Sequence, residues 1–172
     1  MLSVDNRNWY ITSCPSTVPD TRFLTSDKVV AAYNTAVSGQ AQIIAHQYDL
    51  NTDATDAEVQ ITATGASNAQ VNYPQLDIKD GVMGIVWEGA DQSIDVFINT
   101  SSSGVAGLNP DNAFNLTAAS GAQNKPDIAV GDGFFHVVYA DGGDVKYTQL
   151  TALLGTEELI SEIVVSAYPN PA

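Results

Sequence analysis

The chain has 172 residues, of which 44% are hydrophobic, which suffices for one domain with a buried core. Twenty acidic and six basic residues give a formal net charge of −14, and such a surface repels phosphate backbones and anionic lipid. No segment approaches the roughly 18 consecutive apolar residues of a membrane span. We therefore expect neither a nucleic-acid partner nor membrane insertion.

One pattern occurs three times along the chain. A Pro opens a strand, a tight turn follows, and a second strand ends in an aromatic residue. The prolines recur at intervals of 55 and 52 residues, at Pro19, Pro74 and Pro126. The closing aromatic residues keep nearly the same spacing, at Tyr33, Trp87 and Tyr139. A fixed period of about this size, built from strands alone, is typical of β-propeller blades.

The turn inside each repeat contains an Asp. The three turns are Ser26-Asp27-Lys28, Lys79-Asp80-Gly81 and Gly131-Asp132-Gly133. Asp-Gly predicts a hairpin, because Gly accepts positive φ and Asp caps the turn. The strands that follow are nearly continuous apolar runs, as expected for strands covered on both faces, and comprise Val29 to Tyr33, Val82 to Trp87 and Phe134 to Tyr139.

A more mixed third strand and a short fourth strand complete the predicted blade. The third strands are Gln42 to Tyr48, Ile94 to Asn99 and Val145 to Leu150. The fourth strand has a large apolar residue, Ile or Leu two positions later, and then Thr, at Trp9 to Thr12, Val59 to Thr62 and Phe114 to Thr117. The sequence thus predicts an all-β protein with about three four-stranded antiparallel blades in residues 1–151. They comprise a fourth strand at 9–12, blades at 19–62 and 74–117, and a partial blade at 126–150.

This strand order leaves both ends of the set incomplete. The strand at 9–12 precedes every first strand, and the strand from Val145 to Leu150 has no fourth strand after it. Because propellers have about four to eight blades, we expect either part of a larger propeller or half of a head-to-tail homodimer. In the homodimer, each N-terminal strand would complete the last blade of the other chain. Alternatively, Glu162 to Ser166 folds back as the missing strand.

The repeats, with their Pro-led first strand and aromatic-ended second strand, resemble sialidase-like, exo-alpha-type bacterial β-propeller domains over residues 1–151. Residues 152–172 break the pattern, and their end, Tyr168-Pro169-Asn170-Pro171-Ala172, resembles the start of the C-terminal sorting domain of type IX secretion substrates in Bacteroidetes. That resemblance implies export through the outer membrane and a secreted or cell-surface location. Residues 152–172 would then be a linker and the truncated start of the sorting domain.

No catalytic residues are assigned. Sialidases, which the repeats resemble, bind the substrate carboxylate with three arginines, whereas this chain has only Arg7 and Arg22. It also lacks a G-x-S-x-G nucleophile turn and the His spacing of a metal site. We expect a non-catalytic binding or scaffold module for a glycan or a surface protein. The alternative is a fragment of a sialidase-like glycoside hydrolase whose catalytic residues lie outside this chain.

One segment has the alternating oxygen ligands of a calcium loop. Asp49, Asn51 and Asp53 occupy alternate positions, as in the first half of such a loop. The pattern fails at its sixth and twelfth positions, where Ala54 and Gln60 replace the expected Gly and Glu. These three residues are the candidate metal ligands. The alternative is a solvated acidic turn between the third and fourth strands, and no other cofactor is expected.

Overall fold

The computed structural model describes residues 18–37, 40–62, 71–90, 93–117, 120–152 and 166–167. In these ranges the chain is all β, with twelve strands in three separate four-stranded antiparallel sheets. The all-β prediction of three blades is therefore confirmed. Nowhere in the same ranges does a helix have the length and apolarity that a membrane crossing requires. The predicted strand at 9–12 and the motif at 168–171 lie outside the described residues.

Each sheet is a meander in which the strands lie in sequence order. Blade 1 consists of β1 (Asp20–Phe23), β2 (Lys28–Val37), β3 (Gln40–Asp49) and β4 (Ala54–Gln60). Blade 2 consists of β5 (Asn72–Lys79), β6 (Val82–Ala90), β7 (Ile94–Ser101) and β8 (Phe114–Asn115), with 3-10 turns at Val105–Gly107 and Pro110–Asn112 between β7 and β8. Blade 3 consists of β9 (Gln123–Gly131), β10 (Phe134–Asp141), β11 (Asp144–Thr151) and β12 (Ser166–Ala167).

The predicted Asp-Gly hairpins form in blades 2 and 3. Asp80 and Gly81 have φ values of 53° and 80°, and Asp132 and Gly133 have 52° and 80°. Positive φ at both central residues is the geometry of the two-residue turn whose twist matches that of the flanking strands. The next strand starts at once in each case, at Val82 and at Phe134.

The first strands of blades 2 and 3 begin before the prolines that were expected to open them. A register shift follows Asn72 in β5, and another occurs in β9 opposite Val138 and Ala140. The residues before the two prolines, Tyr73 and Lys125, have positive φ values of 50° and 52°. These bulges fit the position of the prolines, since a residue without an N–H is tolerated where ladder pairing is interrupted.

The hydrophobic core lies in two joints, where the face of one blade packs on the face of the next. The joint between blades 1 and 2 buries Val30, Ala32, Ile43, Ala45 and Ile61 against Leu76, Met83, Ile85 and Trp87. The joint between blades 2 and 3 buries Val82, Val86, Val96 and Ile98 against Ile128, Phe135, Val137, Tyr139 and Leu150. Alternate side chains of a strand point to opposite faces, so β6 serves both joints and is buried from Val82 to Gly89. This explains its continuous apolar run.

The repeated aromatic residue of each second strand is buried, Trp87 and Tyr139 in the two joints and Tyr33 on the face of β2 opposite to Ala32. Tyr33, Trp87 and Tyr139 are 7%, 2% and 8% exposed. Trp87 also stacks on Phe97, with ring centroids 6.0 Å apart and ring planes 17° apart. Burial and ring stacking of this kind contribute to packing of the blades and leave no ring face for a ligand.

Two residues of the tail pair with the edge strand of blade 3. Ser166 and Ala167 pair antiparallel with Tyr147 and Lys146 of β11. Of the two arrangements left open by the sequence, this is close to the one in which the tail folds back as the fourth strand. Ser166 and Ala167 therefore occupy two positions along the edge of β11, which a head-to-tail homodimer would use for strand exchange, and that homodimer stays a prediction.

Candidate functional site

The first strands of the three blades lie next to one another, since β5 contacts both β1 and β9. This places β1, β5 and β9 at the inner edges of the blades, nearest the axis around which propeller blades are arranged. Polar side chains on these strands are therefore the candidate functional site. The residues concerned are Asp20 and Arg22 of β1 and Asp77 of β5, which we call the inner-strand cluster.

Arg22 connects the two carboxylates of the inner-strand cluster. Its Nη1 donates a hydrogen bond to Oδ1 of Asp20, and its Nε lies 3.5 Å from Oδ1 of Asp77 in the next blade. The side chain of Arg22 is 41% exposed, compared with 14% for Asp20 and 25% for Asp77. Ion pairs this exposed stabilise a protein by only about 0–1 kcal/mol each. One guanidinium charge is shared between two carboxylates, so the cluster keeps one net negative charge, and the Arg22 side chain stays partly exposed.

The second oxygen of each carboxylate joins one blade to the backbone of the next. Oδ2 of Asp20 accepts a hydrogen bond from the N–H of Leu76 at 2.9 Å, across the joint between blades 1 and 2. Oδ2 of Asp77 accepts one from the N–H of Val130 at 2.7 Å, across the joint between blades 2 and 3. Hydrogen bonds to an ionised acceptor are about twice as strong as neutral ones. Both Asp side chains thus link neighbouring blades by hydrogen bonds.

A second pair of polar contacts crosses the same joints at the other end of β2 and β6. Nδ2 of Asn34 donates to Oδ1 of Asn72 at 3.0 Å, and Oε1 of Glu88 accepts from the N–H of Lys125 at 2.7 Å. Glu88 is 6% exposed. Burial raises the pKa of its carboxyl group, while the hydrogen bond from Lys125 opposes the rise. A carboxyl with a raised pKa is a candidate general acid, but this one is enclosed in a joint.

The candidate calcium ligands form a hydrogen-bonded turn between β3 and β4. Oδ1 of Asp49 accepts from the backbone N–H groups of Asn51 and Thr52, at 2.8 and 3.1 Å. The amide of Asn51 donates to Asp27, and Asp53 accepts from the hydroxyl of Tyr48. Burial, followed by the bond to Asp53, raises the pKa of Tyr48 to about 12. Among the described residues no group of three or more His, Cys, Asp or Glu could hold a metal, and calcium stays a prediction.

Sequence reasoning did not identify Asp20, Asp77 or Glu88. The sequence does contain a signal for Asp20, because Asp20 and Asp127 each directly follow the Pro of a repeat. In the structure, Oδ1 of each Asp accepts a hydrogen bond from the backbone N–H of the next residue. Asp77 and Glu88 offer no local signal. Their partner N–H groups lie 53 and 37 residues away, so only the packing of blades brings them together.

No protein-family model matches the chain, and no curated protein matches its sequence. Among solved structures, the chain is similar to the catalytic domain of a GH62 alpha-L-arabinofuranosidase from Coprinopsis cinerea, with a TM-score of 0.52 and 9% identity. The match covers 84% of this chain and 50% of that domain. A thermostable family-43 glycoside hydrolase gives a TM-score of 0.45 and 11% identity, over 87% of this chain and 58% of that one.

These glycoside hydrolases are five-bladed β-propellers, and the chain spans about half the length of the structures it matches. At 9% identity the similarity to the arabinofuranosidase domain shows the fold alone, and the fold comparison rests on that structure. The propeller part of the sequence resemblance is thereby supported. Its two finer parts, sialidase-type repeats and a type IX sorting motif, stay predictions.

Proposed function

We propose that this chain is a carbohydrate-binding module of the propeller type that does not itself cleave its ligand. Support for a carbohydrate ligand comes from the fold, which the chain shares with the catalytic domain of an alpha-L-arabinofuranosidase. Support for binding without turnover comes from the inner-strand cluster. The ligand would contact the side chain of Arg22, which at 41% is the most exposed of the three in the cluster.

The observation that carries the proposal is the use of Asp20 and Asp77 as links between blades. General acid–base catalysis needs a carboxyl group within hydrogen-bond reach of the reacting atoms of a substrate. Asp20 and Asp77 are instead engaged by backbone N–H groups and by Arg22. Glu88 has a raised pKa but is nearly fully buried against Lys125. These carboxyl groups are positioned to stabilise the fold and are poorly placed to act on a sugar.

The alternative is that the chain is a fragment of a glycoside hydrolase whose catalytic residues lie outside it. The fold of the arabinofuranosidase catalytic domain favours this reading, because that domain has about twice the aligned length. The two readings differ in one respect that can be measured with this chain. The module binds a glycan with its own residues, whereas the fragment has no complete site.

Calorimetric titration with arabinan and arabinoxylan oligosaccharides tests the proposal. We expect binding by the wild-type chain that Arg22→Ala weakens about tenfold, the loss of one good hydrogen bond to a charged group. Lys28→Ala is the matched control, since Lys28 also makes an ion pair, at 2.6 Å to Asp56, away from the inner strands. Absence of binding to these glycans would contradict the proposal. Binding that both variants weaken equally would contradict the position of the site.

We also propose that the protein is secreted or displayed on the bacterial cell surface. The proposal is supported by the sequence Tyr168-Pro169-Asn170-Pro171. Fractionation of source cells, with an antibody raised against the chain, should detect the protein in the medium or on intact cells. Detection only in the cytoplasmic fraction would contradict export.

A further inference from the structure

The guanidinium of Arg22 presents a restricted set of donors to a ligand. Its Nη1 donates to Oδ1 of Asp20 and, at 2.9 Å, to the carbonyl oxygen of Thr21. Its Nε faces Oδ1 of Asp77 at 3.5 Å. Nη2 is the nitrogen of this side chain that has no acceptor among the described residues. A ligand that contacts the guanidinium therefore meets the two N–H groups of Nη2.

This arrangement is unfavourable for a carboxylate ligand. A carboxylate binds arginine best through two parallel hydrogen bonds, which need N–H groups on two neighbouring nitrogens. Each such pair in Arg22 combines Nη2 with either Nη1 or Nε, and both of these nitrogens already face protein oxygens. A sugar hydroxyl needs only one N–H. Two hydroxyl oxygens can thus accept hydrogen bonds from Nη2 without displacing Asp20 or Asp77.

The charges around Arg22 act in the same direction. The inner-strand cluster keeps one net negative charge, and the whole chain carries −14. A unit charge about 6 Å from a carboxylate in water changes its affinity by about threefold. Lys79, two residues after Asp77, is a cation on the same strand. Its Nζ lies on the side of blade 3, 3.9 Å from the place that a Cβ on Gly131 would take, whereas Arg22 reaches Asp77 from blade 1.

We propose that the inner-strand cluster selects neutral glycans over glycans that carry uronic acids. This inference rests on the proposed function, because it names the class of ligand that the carbohydrate site accepts. Hydroxyl oxygens of the ligand accept from Nη2 of Arg22. The carboxylates of Asp20 and Asp77 link the blades, occupy the other guanidinium nitrogens and repel acidic sugars.

A matched pair of ligands tests the proposal by calorimetric titration. One ligand is an arabinoxylan oligosaccharide that carries one glucuronic acid, and the other is the same compound with that carboxyl group reduced to an alcohol. At about 10 mM salt, where the Debye length is about 30 Å, the acidic ligand should bind at least about threefold more weakly. At about 1 M salt the Debye length is about 3 Å, and the ratio of the two dissociation constants should fall.

Asp77→Asn tests whether the cluster causes this selectivity. The substitution removes one negative charge and keeps an oxygen for the N–H of Val130. It should lower the ratio of the two dissociation constants by about threefold. Asp111→Asn is the matched control, since it removes the same charge at an exposed position in the 3-10 turn before β8. This control should leave the ratio unchanged.

The outcomes separate this inference from the proposed function. Absence of binding by both ligands would overturn the proposed function, and the selectivity with it. An acidic ligand that binds as tightly as the reduced one would overturn the selectivity alone. Equal effects of Asp77→Asn and Asp111→Asn would assign the selectivity to the overall charge and overturn the role of the cluster. A preference for the acidic ligand that Lys79→Ala removes would overturn it in favour of Lys79.

Discussion

Replacing Gly84 with Ala should destabilise the joint between blades 2 and 3. A Cβ at this position would lie 2.7 Å from Cδ1 of Ile128 and 2.8 Å from two ring carbons of Phe135. Carbon atoms pack at about 3.5–4.0 Å, so the Cβ must displace blade 3 or turn the buried ring of Phe135. Overpacking of this kind costs about 1–3 kcal/mol. For a chain of this size the melting temperature should fall by about 3–10 °C.

Gly131→Ala is the matched control, because a Cβ there would meet only Nζ of Lys79, at 3.9 Å. We expect it to change the free energy of unfolding by no more than about 0.5 kcal/mol. Urea unfolding followed by far-ultraviolet circular dichroism measures both variants. Adding Phe135→Leu to Gly84→Ala should recover part of the loss, because contacting residues are energetically coupled. Equal stability of Gly84→Ala and Gly131→Ala would refute the close approach of the two blades.

Three further predictions concern charged groups. Asp77→Ala leaves the N–H of Val130 without its acceptor and should cost about 1–3 kcal/mol in urea unfolding, whereas Asp77→Asn keeps an oxygen there and should cost less. Burial raises the pKa of Glu88 in the folded protein above its value in the unfolded chain. The protonated carboxyl group therefore stabilises the fold at low pH, and this stabilisation is lost as the pH rises through the folded-state pKa. Glu88→Gln should therefore become more stable relative to wild type as the pH rises through the range in which Glu88 ionises, and a difference that stays constant with pH would contradict the burial. The ammonium of Lys28 lowers the pKa of Asp56, so Lys28→Ala should raise that pKa in an NMR titration, and an unchanged value would exclude the contact.

The parts of the fold with a local signal were predicted from the sequence. Asp80-Gly81 and Asp132-Gly133 form hairpins because their residue types suit positive φ, which needs no tertiary contact. The apolar run from Val82 marks β6, although pairing with β7 extends the strand three residues past Trp87 to Ala90. The aromatic residues that recur in the second strands, Tyr33, Trp87 and Tyr139, are all buried.

Elements that depend on strand pairing and have no distinctive sequence pattern were harder to predict. The fourth strand of blade 1 was expected to begin at Val59 but begins at Ala54, because its first half is exposed and polar and has no apolar alternation. The bulges at Tyr73 and Lys125 move the start of two first strands ahead of their prolines. The inner-strand cluster depends on contacts between blades. A period of about 50 residues predicts that the blades exist but not which side chains meet between them.

The claim that Asp20 and Asp77 join blades, and do not act on a substrate, is tested most directly by hydrolysis of 4-nitrophenyl α-L-arabinofuranoside. Wild type, Asp20→Asn and Asp77→Asn should all release nitrophenol no faster than buffer alone, while the urea midpoints of the two variants fall below that of wild type. Turnover by the wild-type chain that either substitution abolishes, with the folded structure retained, would contradict the claim.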